Sequence, residues 1–443
     1  MSTTATSSAA LRPQDVHAAL GKWMLADGMP LVLDLEKSRG ARLHDARSGR
    51  TYLDFFGCFG STPIGWNHPA LLDAGWLKSI ARAVANRPSN SDLYSVEMAQ
   101  YVERMAEVAR PEGFTRMFFV DGGALAVENA MKIAFDWKVR RNRAKGVDAD
   151  VGQKILHFKK AFHGRSGYTM SVTNTRPDKV LYFPKFASWP RCEAPAVRFP
   201  LEGADLIAHA QAEQAALEQV DAAFAVHGDD VAAILIETIQ CEGGDRHFRA
   251  EFLQGLQARC EKYDCLFLLD EVQTGFFTSG KAWAFEHYGV TPDVFVFGKK
   301  AQQCGLMAGP KVLEVPGNVF ETSSRINSTW GGNLVDMMRA TRVLEVIRDE
   351  QLAANAAARG AEWLQGMRSL QAKHDQISNA RGLGLLLAFD LPDTARRDRL
   401  LLRMREHGLL GLVCGERTLR FRPHLGVTSA EVAEALDLTE KSL

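Results

Sequence analysis

The period of apolar positions changes along the chain, and the changes divide it. Val16, Leu20 and Met24 fall on one face of a helix opened by Pro13. The period then shortens. Runs 31–35, 41–45 and 52–56, separated by Ser38-Arg39-Gly40 and Ser48-Gly49, predict an antiparallel meander. Stretch 57–69 is rich in Gly, Pro and aromatics and predicts an ordered loop, with helical patterning resuming at Pro69 and over 96–108. Continuous apolar runs at 117–120, 154–158, 232–237, 265–270 and 294–297 predict strands covered on both faces. Amphipathic stretches 124–141, 206–224 and 250–263 predict crossover helices, so the fold class is α/β, with a large doubly wound, mostly parallel sheet. Past Asn333, helices over 333–349 and 352–374 and short strands at 383–389 and 418–421 predict a smaller α+β domain. The expected division is an N-terminal segment 1–59 packing with the small domain, a large domain 60–320 and a C-terminal small domain 321–443.

Composition narrows the classes of function. Lys plus Arg equals Asp plus Glu at 53 each, so the formal net charge is zero, which argues against nucleic acid and anionic membrane as partners. No apolar run approaches the roughly 18 residues of a membrane helix. The first ten residues lack a basic n-region and an apolar h-region and read as a tail rather than a signal peptide. The seven cysteines include no CxxC pair, the nearest spacing being Cys260 to Cys265, which points to reduced thiols in a cytoplasmic protein and to no zinc site.

Candidate chemistry gathers where strands end. The run 294–297 delivers Lys299 and Lys300 to the carboxyl edge of the sheet, where ligands of open α/β folds bind. Asp121-Gly122-Gly123-Ala124 ends a strand and opens a helix, leaving backbone N–H groups and a helix dipole for a phosphate. Asp270 ends an apolar strand and calls for a cationic partner, with Gln273 close behind. Phe162-His163-Gly164-Arg165 offers a stacking ring and a guanidinium, Glu242-Gly243-Gly244 an acidic loop, and Arg420 a charge on an apolar strand that must find an anion. Singly, these read as a surface lysine pair, a turn and a helix cap. The stretch 275–282 has P-loop spacing, but Ala282 replaces the Mg²⁺-binding hydroxyl, and no Gly-x-Gly-x-x-Gly follows a strand. Together the lysine, aspartate, helix start and aromatic fit pyridoxal 5'-phosphate (PLP): the lysine binds the aldehyde, the aspartate keeps the pyridine nitrogen protonated, and the helix start takes the phosphate.

From about residue 31 onward the chain also resembles the class III (ω-amino) aminotransferases of PLP-dependent transferase fold type I, with DEVQTG at 270–275, GKK at 298–300 and STWGGN at 328–333 as landmarks. The resemblance implies residue roles. Lys300 matches the Schiff-base lysine because Gly305 lies at the family's distance from it, which leaves Lys299 as a solvated neighbour facing the other way. Asp270 matches the pyridinium partner, Gln273 a residue near the ring hydroxyl, Phe162 the stacking ring, and Gly123 and Ala124 the phosphate-binding amides. Thr329 matches a threonine that reaches the neighbouring subunit's phosphate, which implies a homodimer. Glu242 matches a glutamate that pairs with an arginine matching Arg420 and then releases it to 2-oxoglutarate, and Arg165 matches the arginine holding the far carboxylate. Cys241 departs from the family, which commonly has glycine there.

Within the family, FFVDGGALAVENAMKIAFDWK and IQCEGGDRHF are most similar to the lysine 6-aminotransferase branch. That implies transfer of the ε-amino group of L-lysine to 2-oxoglutarate, giving glutamate and 2-aminoadipate 6-semialdehyde, which cyclises to piperideine-6-carboxylate. The alternatives are another class III ω-aminotransferase, acting on ornithine or 4-aminobutyrate, and more remotely a non-catalytic PLP-binding protein.

Overall fold

The computed structural model describes residues 11–147 and 151–443, so the expectation for the first ten residues lies outside the described residues. In chain order the strands are β1 Arg42–His44, β2 Thr51–Asp54, β3 Arg116–Val120, β4 Lys154–Phe158, β5 Arg191–Cys192, β6 Val231–Glu237 and β7 Leu266–Asp270, then β8 Val294–Phe297, β9 Cys304–Ala308, β10 Ser378–Leu383, β11 Leu386–Asp390, β12 Leu409–Leu410, β13 Leu412–Cys414 and β14 Thr418–Phe421. The large sheet runs β3-β9-β8-β7-β6-β4-β5. It is parallel from β5 to β8, and β9 lies antiparallel to both of its neighbours.

The central strands read as unbroken apolar runs because both faces are covered. Along β7 and β8, Phe267, Leu269, Phe295 and Phe297 enter one core, while Leu266, Leu268, Val294 and Val296 enter the other. The first face is aromatic, with Phe295 packed against Phe114, Trp283 and Phe285. The second is covered by the helix Gly123–Ala144, whose Ala126, Val127, Ala130, Met131 and Ala134 face it. Burying each such large side chain contributes roughly 1.5–3 kcal/mol. The core therefore fixes where β7 and β8 end, and with them the positions of Asp270 and the lysines.

The helices Leu334–Asp349 and Leu352–Lys373 lead to a four-stranded sheet, β10-β11-β14-β13. The predicted single strand at 383–389 is instead the joint of a hairpin, because Gly384 at φ +55° turns the chain between β10 and β11. That turn is wedged: a Cβ on Gly360 would lie 2.1 Å from the Gly384 carbonyl oxygen, and one on Gly384 would lie 2.5 Å from Thr278 O. Gly360→Ala is expected to cost about 1–3 kcal/mol, measured as a lower denaturant midpoint at unchanged slope.

Two N-terminal expectations are trimmed. The helix from Pro13 is a 3₁₀ turn, Pro13–Asp15, and a short helix, Val16–Gly21, with no buried residue and with Met24 exposed. The run 31–35 contributes only a bridge, Leu33 to Asp45. β1 and β2 pair antiparallel, and β2 continues in parallel to β12, joining the N-terminal meander to the C-terminal chain. Among the described residues no helix is long and apolar enough to cross a membrane.

Candidate active site

A cavity of about 280 Å³ opens at the carboxyl edge of β6, β7 and β8, walled by residues that include Gly123, Ala124, Phe162, His163, Glu237, Asp270, Gln273 and Lys299. Gly122 at φ +105° turns the chain out of β3 and frees the N-terminus of the 22-residue helix Gly123–Ala144. Close backbone approach here requires glycine, since a Cβ on Gly164 would lie 2.4 Å from that of Ala124.

Asp270 ends β7 and is buried. Its Oδ2 pairs with His163 Nδ1 at 2.8 Å, and its Oδ1 accepts from Val272 N at 3.0 Å. His163 Nε2 is buried and has no partner among the described residues. Glu237 sits directly beside Asp270 in the sheet register and accepts from the N–H groups of Phe162 and Cys241. Burial, and next the Asp270 charge, hold the Glu237 carboxyl well above the usual carboxylate range. Two carboxylates side by side thus differ in environment, Asp270 facing a histidine and Glu237 backbone N–H groups.

The two lysines separate, and not as counting back from Gly305 suggests. Lys299 lines the cavity; Lys300 does not. Lys300 Nζ turns the other way and donates to Gly60 O at 3.2 Å, beside Asp54, and burial with Arg422 nearby pushes its pKa down to about 7. Lys299 opens a tight 3₁₀ turn, Lys299–Ala301, in the left-handed region at φ +50°, a conformation that costs about 1 kcal/mol or more outside glycine. Its pKa is also lowered, first by burial and then by Arg420. The expectation of a solvated Lys299 is thus corrected. Gly305 serves the sheet instead, pairing with Phe297 and Phe119 where a Cβ would meet Phe118 O at 2.4 Å. Between it and the lysines the chain turns again at Gln302, φ +64°, so spacing from Gly305 says nothing of which amine faces the cavity.

Beside the cavity lies a charge cluster. Arg420, on β14 and 1% exposed at its side chain, donates to Glu242 Oε2 at 2.8 Å and to Gln273 Oε1 at 3.3 Å. Asp245 Oδ1 lies 3.6 Å from Arg420 and 2.5 Å from Arg422. Burial raises the Glu242 pKa, but Arg420 and Lys179 outweigh it and keep the group ionised. Lys179 Nζ holds the other Glu242 oxygen at 2.5 Å.

Arg165 and Thr329 are not brought into this wall: both side chains are exposed, and Thr329 is fixed through its carbonyl, which accepts from Ser89 and Ser91. Sequence reasoning brought Lys299 to the sheet edge but read it as solvated, and it missed Glu237 and Lys179. His163 was noticed only for its neighbours, and nothing in the local pattern marks Lys179. Among the described residues no group of three His, Cys, Asp or Glu could hold a metal.

The cavity residues fit pyridoxal phosphate. Its lining combines a helix N-terminus, an aromatic ring, a buried aspartate braced by histidine, and a lysine.

Comparison with known proteins agrees. The model of the family "Aminotransferase class-III" matches residues 24–443. An L-lysine-epsilon aminotransferase of Streptomyces clavuligerus is 48% identical over 436 residues, covering 98% of this chain and 95% of that protein. The human mitochondrial 4-aminobutyrate aminotransferase is 32% identical over 435 residues, covering 94% and 85%. Among solved structures, the lysine aminotransferase from M. tuberculosis in the internal aldimine form superposes with a TM-score of 0.96 at 47% identity, covering 98% of this chain and 99% of that one.

Proposed function

The chain belongs to the class III aminotransferases, PLP-dependent transaminases of fold type I, and on that premise we propose that it moves the ε-amino group of L-lysine to 2-oxoglutarate. The observation that carries the reading is the Glu242–Arg420 pair at the cavity, taken with the greater similarity to lysine than to 4-aminobutyrate aminotransferases. One pocket must accept lysine by its terminal amine and then 2-oxoglutarate by its α-keto end. A permanently free arginine would be an unpaired buried charge in the first case, and a permanently paired one would reject the carboxylate in the second. A displaceable glutamate meets both demands.

When bound, the cofactor supplies an aldehyde that takes up the amino group and a ring that accepts electron density. Gly123 and Ala124 would hold its phosphate, Phe162 would stack on the ring, Asp270 with His163 would hold a proton on the pyridine nitrogen, and Gln273 would lie near the ring hydroxyl. Lys299, in place of Lys300, would bind the aldehyde. Its lowered pKa leaves more of the amine neutral, ready to take the proton from the ε-carbon of lysine and to deliver one to C2 of the keto acid.

The reading extends to assembly. Thr329 is exposed and outside its own cavity wall, which supports a homodimer in which it reaches the partner's phosphate; Arg165, also exposed, would then meet the far carboxylate in the assembled site. The chain's division at about residues 60 and 320 and a cytoplasmic location belong to the same proposal. Ornithine and 4-aminobutyrate are the rival donors. A donor panel against 2-oxoglutarate should give lysine the highest kcat/KM, and a higher value for either rival would move the assignment. Glu242→Ala should raise kcat/KM for glutamate relative to lysine about tenfold, by leaving Arg420 open to α-carboxylates. An unchanged ratio would remove the displaceable glutamate from the account.

A further inference from the structure

We propose that Lys179 is a positioning residue of the two-substrate site, the second anchor that holds the Glu242 carboxylate while Arg420 is released to an incoming substrate carboxylate. The proposal rests on the reading of Glu242 as a displaceable partner of Arg420.

Glu242 bridges two cations, one on each oxygen: Lys179 Nζ at 2.5 Å and Arg420 at 2.8 Å. The cations differ in kind. Arg420 sits on a strand, its side chain 1% exposed and also tied to Gln273, whereas Lys179 ends a 3₁₀ turn, Pro177–Lys179, and is 21% exposed on a flexible stem. Lys179 Nζ also lies 5.3 Å from the centre of the Phe162 ring, so its ammonium is at the cavity side of the cluster.

The backbone around Glu242 is pinned. Its carbonyl accepts from Gly415 N at 3.0 Å, and Gly243 lies so close to Lys160 that a Cβ would come within 2.1 Å of the Lys160 carbonyl oxygen. Release of Arg420 is therefore a side-chain rotation. A carboxylate only 22% exposed that gave up its only cation would bear a large desolvation cost. With Lys179 on the other oxygen, Glu242 turns away from Arg420 and keeps a charge partner throughout. Lys179 thus matters when a carboxylate must reach Arg420, in the 2-oxoglutarate half-reaction. It matters little when lysine is bound and the Glu242–Arg420 pair is intact.

The test uses the holoenzyme. Lys179→Gln should raise KM for 2-oxoglutarate about tenfold and weaken equilibrium binding of glutarate, an unreactive dicarboxylate, by a similar factor, with kcat and KM for lysine changed less than about twofold. Lys179→Arg should restore both, and on a Glu242→Ala background Lys179→Gln should add nothing further. Equal losses for both substrates, failure of Lys179→Arg to restore binding, or unchanged glutarate affinity in Lys179→Gln would overturn the proposal. A failure of the underlying reading is seen separately, as a Glu242→Ala enzyme whose preference between lysine and glutamate is unaltered.

Discussion

Lys299→Ala is expected to lower kcat with lysine by at least about a thousandfold, whereas Lys300→Met should keep kcat within about tenfold of the parent. The two amines are adjacent in sequence but face different surroundings. Lys299 shares the cavity wall with Phe162 and Asp270, in a strained left-handed turn that the end of β8 and the start of β9 hold in place. Lys300 reaches back to Gly60 O while Gln302 Nε2 holds Ser61 O, so the same turn grips the loop after β2 with its other side. Methionine keeps most of the Lys300 volume and avoids confusing a packing loss with a chemical one. Steady-state kinetics of the two variants, with borohydride trapping and peptide mapping of the lysine carrying the cofactor, distinguishes them. An active Lys299→Ala enzyme, or trapping on Lys300, would reverse the assignment.

Asp270→Asn is expected to lower kcat by about a hundred- to a thousandfold, the range for removing one preorganised electrostatic group from a water-poor site. The arrangement around Asp270 explains so large an effect. It is buried at the end of β7 with one oxygen on His163 and the other on the Val272 N–H. Its neighbour Glu237 is pushed well above the carboxylate range by burial and by Asp270 itself. Asparagine keeps the shape and removes the carboxylate. Single-turnover rates with saturating lysine measure the step concerned, and a loss below about fivefold would mean that another group holds the ring-nitrogen proton.

The large sheet was legible because its strands are buried on both faces and read as unbroken apolar runs; β7 and β8 lie where the runs end. β9 was not, since Gly305 is required by close approach to Phe118 and the strand follows directly on a turn. The residues of the site were legible as types at strand ends, with Asp270, Phe162, Gly123 and Ala124 meeting in one cavity. Choosing between Lys299 and Lys300 was beyond it, because the choice depends on backbone dihedrals at Lys299 and Gln302 rather than on spacing. Lys179 had no local signal at all: it meets Glu242 across 63 residues of chain through tertiary folding alone.

Product analysis after incubation with lysine and 2-oxoglutarate tests the central claim most directly. Loss of the ε-amino group predicts glutamate and piperideine-6-carboxylate in equal amounts. Piperideine-2-carboxylate, the cyclic imine left by loss of the α-amino group, or the absence of any glutamate formed, would contradict it.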